Sequence, residues 1–241
     1  MKPRRTIIMF TGVPGSGKTT LMSDFLSQFE HDGITASPIS EYRYVKGWSK
    51  LPDSQPLLQV PGESFVLKQE GYWTMSAFVA KRLAEEIEFR FFQGDSRVVF
   101  EAARGVGEPR VDYAQFTRDL LSHLDGKRGE LGLVNIEAVA GRWDIEQRIK
   151  KRFMHDRSAP PPGTELRYLR TDGLPLCYST QDLREVFLGV PLVFNEIVHN
   201  GSDRETLRAE VVRELYPRLI QELEIPGLGL EGGRMVRGPE R

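Results

Sequence analysis

The sequence contains a single cysteine, Cys177, in 241 residues, so no internal disulfide can form and the fold must hold without one. That usage points to a reducing compartment, with the cytoplasm as the expected location. No segment approaches the roughly 18 consecutive apolar residues of a membrane span. The first ten residues begin basic and turn apolar, but Gly12, Pro14, Gly15 and Gly17 end the apolar stretch too early for a signal-peptide core. Neither sign of charge dominates: 33 Lys and Arg stand against 34 Asp and Glu, a net charge of -1, so no overall basic field exists to hold nucleic acid or an anionic membrane. His31, His123, His155 and His199 lie far apart without an i, i+4 pair, which argues against a zinc site. Nothing in the sequence selects an oligomeric state.

What is present suits a folded core. Hydrophobic residues make up 39%, charged residues 28% and aromatics 10%, a globular composition. The length exceeds a roughly 150-residue domain prior, so one large domain, or a core with an inserted lid, is expected.

Along the chain, strands alternate with helices. Thr6–Thr11 is a short apolar run that can be buried on both faces. From Lys18, Leu21, Phe25, Leu26 and Phe29 recur at helical spacing up to His31, with Gly33 as the stop. Residues 34–40 read as a second strand interrupted by Pro38. Residues 41–72 have no sustained period and are punctuated by Gly47, Pro52, Pro56, Pro61 and Gly62, an irregular, aromatic-rich excursion of the kind that usually carries function. Residues 73–92 form a helix with Phe78, Leu83, Ile87 and Phe91 as core candidates.

Further strands are expected at 97–100, 131–137 and 191–195, and helices at 112–124 and 144–155, the latter bearing Arg148, Lys150, Lys151 and Arg152. Pro160–Gly163 must be loop, and Ser179–Asp182 reads as a helix start. Ser202-Asp-Arg-Glu205 has the pattern of a capping box ahead of a helix to about residue 223, which Pro217 should kink. From Pro226 on, five glycines in sixteen residues predict a flexible tail. The alternation, with five expected strands, predicts a three-layer α/β/α domain over 1–225 with a mostly parallel sheet, interrupted by the irregular stretch at about 41–72 and by a segment without a core stripe at 156–178.

Gly12-Val-Pro14-Gly15-Ser16-Gly17-Lys18-Thr19 satisfies G-x-x-x-x-G-K-[ST] in full, between a predicted strand and a predicted helix. Such a loop turns backbone N–H groups inward around phosphates at a helix N-terminus. Lys18 reaches the β and γ oxygens in this pattern and the Thr19 hydroxyl ligates Mg²⁺, with Thr20 beside it; a phosphate-binding loop without turnover would carry the same residues.

The metal also needs a carboxylate near the end of a neighbouring buried strand. Val98-Val-Phe-Glu101 supplies one, with Arg104 three residues on; a structural Glu101–Arg104 ion pair is the alternative. Glu41 ends the second strand and begins Glu41-Tyr-Arg43-Tyr44, followed by Trp48. With Tyr72 and Trp73, these could form a pocket in which Glu41 orients or deprotonates an acceptor hydroxyl and Arg43, Tyr44 and Tyr72 contact it. A solvated acid and core aromatics would read alike. Arg142, Arg148, Lys151, Arg152 and Arg157 flank or enter the segment at about 152–178, expected to close as a lid, and arginines there could neutralise charge on a transferred phosphoryl group, Arg148, Arg152 and Arg157 foremost, or form only a solvated face.

Residues 6–223 resemble the P-loop kinase superfamily, the nucleotide and nucleoside kinase-like group with a five-stranded parallel sheet. The phosphate loop, the basic helix from Arg148 to Arg157 and Val193–Val211 carry the likeness. The last looks like the strand, Asn-Gly-Ser turn and capped helix that pack beside adenine in dephospho-CoA kinases, which implies that Asn200 and Gly201 border the base through backbone contacts. The pairing of Glu41 with Trp48, and of Glu101 with Arg104, looks like deoxynucleoside kinases, though the first gap is longer and Arg104 is not adjacent to Glu101. There the first carboxylate is the base and the second helps hold the metal.

The Asn/Thr-Lys-x-Asp tetrad that reads guanine in GTPases does not occur, which favours ATP as donor. The phosphate loop and the resemblance together imply a small-molecule kinase that moves the γ-phosphoryl group of Mg-ATP to a hydroxyl, or secondarily a phosphate, of an acceptor held by the excursion at about 41–72, under a lid at about 152–178. An ATP-dependent switch acting on a protein partner and a polynucleotide 5′-hydroxyl kinase are the competing readings.

Overall fold

The computed structural model describes residues 5–12, 15–48, 50–57, 69–102, 109–124, 131–141, 143–145, 147–148, 151, 192–200, 204–223, 228–231 and 234–237. Five strands, β1 (Arg5–Thr11), β2 (Ser37–Ile39), β3 (Arg97–Ala102), β4 (Leu131–Val139) and β5 (Leu192–His199), form one sheet in the order β2-β3-β1-β4-β5. Every pairing within it is parallel. Among the described residues, helices include α1 (Lys18–His31), α2 (Tyr42–Trp48), α3 (Gln69–Phe92), α4 (Pro109–His123), α5 (Arg204–Glu210) and α6 (Tyr216–Leu223).

A parallel sheet covered on both faces needs apolar residues on both, and β1 meets that demand with an unbroken apolar run. Ile7 and Met9 point into a core built with Val79, Leu83 and Ile87 of α3 and Phe116 and Leu120 of α4. Ile8 and Phe10 point the other way, into Leu21, Phe25 and Phe29 of α1 and Leu207, Tyr216 and Leu219 beyond β5. The three layers follow from the period-2 alternation of one strand meeting the 3.6-residue stripes of its helices. Phe25 anchors the second core: its ring centroid lies 5.3 Å from Phe10, 6.4 Å from Phe29 and 6.1 Å from Tyr216. Each such pair adds about 0.5–1.5 kcal/mol to the burial itself.

Several elements differ from expectation for physical reasons. The excursion after residue 40 is not wholly irregular, because it contains α2, a 3₁₀ turn over Pro52–Leu57 and the beginning of α3. A seven-residue helix has too few turns to display a period, and Gly71 lies in the first turn of α3, where backbone N–H groups lack intrahelical partners in any case. Trp48 fills the core rather than a pocket, with 3% exposure. β2 is shorter than predicted and keeps Pro38 because it is an edge strand, with a single neighbour in the sheet.

β4 and β5 run further, to Val139 and His199. β5 lies at the other edge, and its later residues alternate between half-buried and exposed, so Glu196 is tolerated and pairs with Arg218. The helix expected to reach about 223 runs on through Pro217. A π turn, Val211–Leu215, joins α5 to α6, and the Tyr216 N–H reaches back to the Val211 carbonyl. Proline has no N–H to donate and would crowd the carbonyl four residues earlier, and a widened turn accommodates both defects. In the tail expected to be flexible, Leu228–Glu231 and Arg234–Arg237 pair as an antiparallel ladder.

Candidate active site

The chain fills the sheet to one side of β1 with β2 and β3 and to the other with β4 and β5, so the order reverses around β1. Parallel α/β sheets bind ligands in the crevice at such a reversal, outside the carboxyl ends of the strands. There the phosphate loop follows β1, Glu101 stands near the end of β3, Glu41 lies two residues past β2, and Asn200 comes immediately after β5.

The loop is pressed against its neighbours. A Cβ on Gly12 would lie 2.4 Å from the Ala138 carbonyl oxygen on β4, closer than any side chain permits. Gly17, at φ 95, would place a Cβ 1.8 Å from Asn200 Nδ2. Both the left-handed backbone and the space therefore require glycine at 17. Ser16 is fully buried, and its Oγ has no hydrogen-bond partner among the described residues, an orphaned polar atom inside the loop.

α1 opens at Lys18, which is buried to 7% exposure. Thr19 faces outward beside it, and Thr20 is half-buried on the same first turn. The Thr19 hydroxyl donates to Glu101 Oε2 at 2.6 Å. This contact joins the predicted metal-ligating hydroxyl to the predicted metal-supporting carboxylate. Magnesium keeps waters and phosphate oxygens and takes only one or two protein oxygens, so this donor set fits it. Among the described residues there is no cluster of three or more His, Cys, Asp or Glu placed to hold a metal by themselves.

Arg148, expected to reach phosphate from the lid, is half-buried against the loop backbone. Its Nη1 donates to the carbonyls of Gly15 at 3.1 Å and Ser16 at 3.3 Å, and its Nη2 donates to the Asn200 carbonyl at 2.9 Å. Asn200, expected to act through its backbone, is buried and donates from Nδ2 to the Ser16 carbonyl at 2.8 Å. Its own N–H bonds to the Val139 carbonyl at 2.6 Å, tying the end of β5 to the end of β4.

Glu41 is buried at the entrance to α2, and its carbonyl accepts from the Tyr44 and Val45 N–H groups. Arg43 and Tyr44 form part of the seam between α2 and α3. Arg43 Nη2 pairs with Glu86 of α3 at 2.9 Å, and the guanidinium also hydrogen-bonds the Tyr44 hydroxyl and lies 4.6 Å from the ring centroid. The Tyr44 hydrogen bond and Glu86 together raise the Arg43 pKa, keeping it a cation. Tyr72 falls within α3. Pro14, Arg104, Arg142, Arg152, Arg157, Gly201 and the segment 152–178 predicted as a lid lie outside the described residues.

Sequence reasoning missed one polar group at this edge. Thr11 donates to Asn135 Oδ1 at 2.9 Å, and Glu137, paired in register with Thr11, has no exposed surface. The signal was available: Asn135 and Glu137 stand two apart in an otherwise apolar strand, so both project to one face of the sheet.

No protein-family model matches the chain, and no curated protein matches it in sequence. Among solved structures it is similar to the APS kinase of Mycobacterium tuberculosis in complex with AMPPNP and APS, at 14% identity and a TM-score of 0.49, covering 92% of this chain and 99% of that one. It is also similar to shikimate kinase from Acinetobacter baumannii in complex with shikimate, at 12% and 0.45 over 88% and 92%. A gluconokinase from Sinorhizobium meliloti 1021 is similar at 15% and 0.39 over 93% and 98%. The fold is a three-layer α/β/α domain with a five-stranded parallel sheet in the order β2-β3-β1-β4-β5 and a phosphate loop between β1 and α1. Among the described residues no helix is long and apolar enough to cross a membrane.

Proposed function

We propose that the protein is an ATP-dependent phosphotransferase that moves the γ-phosphoryl group of Mg-ATP to a hydroxyl of a small-molecule acceptor. The observation that carries this reading is the 2.6 Å contact between Thr19 and Glu101 beside a complete phosphate loop. A loop that only holds an anion has no need of a hydroxyl and a carboxylate joined at its mouth.

In this reading the loop N–H groups and the Lys18 ammonium hold the β and γ phosphates, and Thr19 and Glu101 supply the protein oxygens for magnesium. The ion, when bound, neutralises charge on the β and γ oxygens. Glu41, buried at the same edge of the sheet, orients the acceptor hydroxyl and takes its proton. The acceptor oxygen forms a bond to Pγ as the bond from Pγ to the β–γ bridging oxygen breaks, and ADP leaves with that electron pair. The site works by positioning and electrostatics, because phosphoryl transfer asks little covalent chemistry of the protein.

The test is incubation of the full chain with Mg-ATP and a pooled panel of nucleosides, sugars, amino alcohols and antibiotics, recording ADP and new phosphorylated masses. A gain of one phosphoryl group that disappears in Lys18→Ala supports the reading and identifies the acceptor. Phosphotransfer by Lys18→Ala within a factor of a few of wild type overturns it.

A further inference from the structure

We infer that Arg148 and Asn200 are positioning residues that set the phosphate loop's N–H groups through its carbonyls, rather than ligands of the nucleotide. The inference deepens the kinase reading and rests on it for its functional meaning. The geometry itself is independent of that reading.

A trans peptide is planar, with its N–H and C=O pointing in opposite directions. The Gly15 carbonyl shares a peptide unit with the Ser16 N–H, and the Ser16 carbonyl shares one with the Gly17 N–H. A loop that turns those two N–H groups toward an anion must turn the two carbonyls away from it. Outward carbonyls that are buried need donors, or the loop carries unsatisfied acceptors. Arg148 Nη1 donates to both, at 3.1 Å and 3.3 Å, and Asn200 Nδ2 adds a second donor to Ser16 at 2.8 Å.

The arrangement is fixed from behind. Arg148 Nη2 holds the Asn200 carbonyl at 2.9 Å and lies 3.4 Å from its Oδ1, which turns the Asn200 amide so that Nδ2 faces the loop. Asn200 is buried to 6% exposure, and its main chain is bonded to β4. The planar guanidinium presents a rigid fork of donors, which one ammonium cannot copy on carbonyls of separate segments. Rotation of either loop peptide would break a bond to this clamp. Arg148 thus links three segments: the loop, the end of β5 and the chain beyond β4.

The experiment uses the 241-residue chain and its variants Arg148→Ala, Arg148→Lys and Asn200→Asp, each checked for an unchanged cooperative thermal transition. Asn200→Asp keeps an acceptor for Arg148 but cannot donate to Ser16. Two quantities are measured: the ligand-free amide resonances of Ser16 and Gly17, and the affinity for Mg-tripolyphosphate and Mg-ATP. Expected are displaced Ser16 and Gly17 resonances in Arg148→Ala and Asn200→Asp. Both phosphate probes should weaken by similar factors, about tenfold to hundredfold on the scale of charged hydrogen bonds, and Arg148→Lys should recover only part of the loss.

If Arg148→Ala weakens ATP but leaves tripolyphosphate untouched, Arg148 contacts the base and the inference is wrong. If it weakens tripolyphosphate while the ligand-free amide resonances stay in place, Arg148 touches phosphate directly and the inference is equally wrong. A wild-type protein that binds neither probe removes the kinase reading, and the ligand-free resonances then still decide the positioning role.

Discussion

Thr19 and Glu101, 82 positions apart in the chain, meet at 2.6 Å where the first turn of α1 passes the carboxyl end of β3. The Thr19 hydroxyl donates to the contact, and its oxygen keeps its lone pairs. Glu101 keeps a second carboxylate oxygen. Two oxygens of opposite hydrogen-bonding character are thereby held together at the mouth of the phosphate loop.

Glu101→Gln keeps the shape but removes the charge. The magnesium concentration for half-maximal phosphotransfer should rise about tenfold to hundredfold, the usual scale for losing a metal-supporting group. A magnesium titration of ADP formation checks it. An unchanged midpoint would mean that Glu101 serves packing alone.

Gly17→Ala faces two obstacles, the positive φ of 95 and the Asn200 amide 1.8 Å from the new Cβ. Together they should lower the thermal midpoint and abolish tight ATP binding, with the backbone part on the order of 1–3 kcal/mol. Introduced into Asn200→Ala, the same substitution should cost less, because the clash is gone and the strain alone remains. Equal losses of stability in the two backgrounds would show that the loop had moved away from Asn200.

Tyr216 donates to Asp32 Oδ2 at 2.7 Å, which pins α6 to the end of α1. Burial first, and then the Asp32 hydrogen bond and charge, raise its pKa well above the ordinary 10.0. The phenol therefore stays neutral in the fold, while the unfolded chain ionises near pH 10. Its contribution is fully present below that pH and is lost as pH rises through the interval between the unfolded and the raised folded value. Tyr216→Phe should cost about 1.5–3 kcal/mol near neutrality, the range for a hydrogen bond to a charged group. The gap to wild type should narrow above pH 10, as urea unfolding at stepped pH would record. Parallel alkaline limbs would contradict the assignment.

The seam between α2 and α3 separates a surface contact from a core one. Arg43 is half exposed in its pair with Glu86, so Arg43→Ala should cost at most about 1 kcal/mol and less in high salt. Trp48→Ala opens a cavity at a residue with 3% exposure and should cost about 3–5 kcal/mol. Denaturant unfolding of both variants makes the comparison, and similar losses would refute it.

Local chemistry made much of this legible in the sequence. The phosphate loop announces itself because its function needs glycines, a lysine and a hydroxyl at fixed spacing, and the apolar run before it announces β1. The stripe through Leu83, Ile87 and Phe91 marked α3, whose face spans enough turns to display its period. α2 stayed hidden because it is seven residues long, and the extension of β5 because an exposed edge relaxes the apolar demand. Arg148 was legible as a residue of interest but not in its geometry. A basic helix face reads alike whether its arginines meet phosphate, water or carbonyls.

By itself the sequence determined the alternation of strands and helices, the phosphate loop, and the carboxylates at 41 and 101 as candidates near strand ends, because these follow from side-chain chemistry and spacing along the chain. Only the tertiary structure decided that Thr19 meets Glu101, that Trp48 belongs to the core, and that Arg148 and Asn200 clasp the back of the loop. Those contacts join residues tens to well over a hundred positions apart. They depend on strand order and on the directions in which peptide planes and side chains point once the sheet is packed, and no local pattern records that.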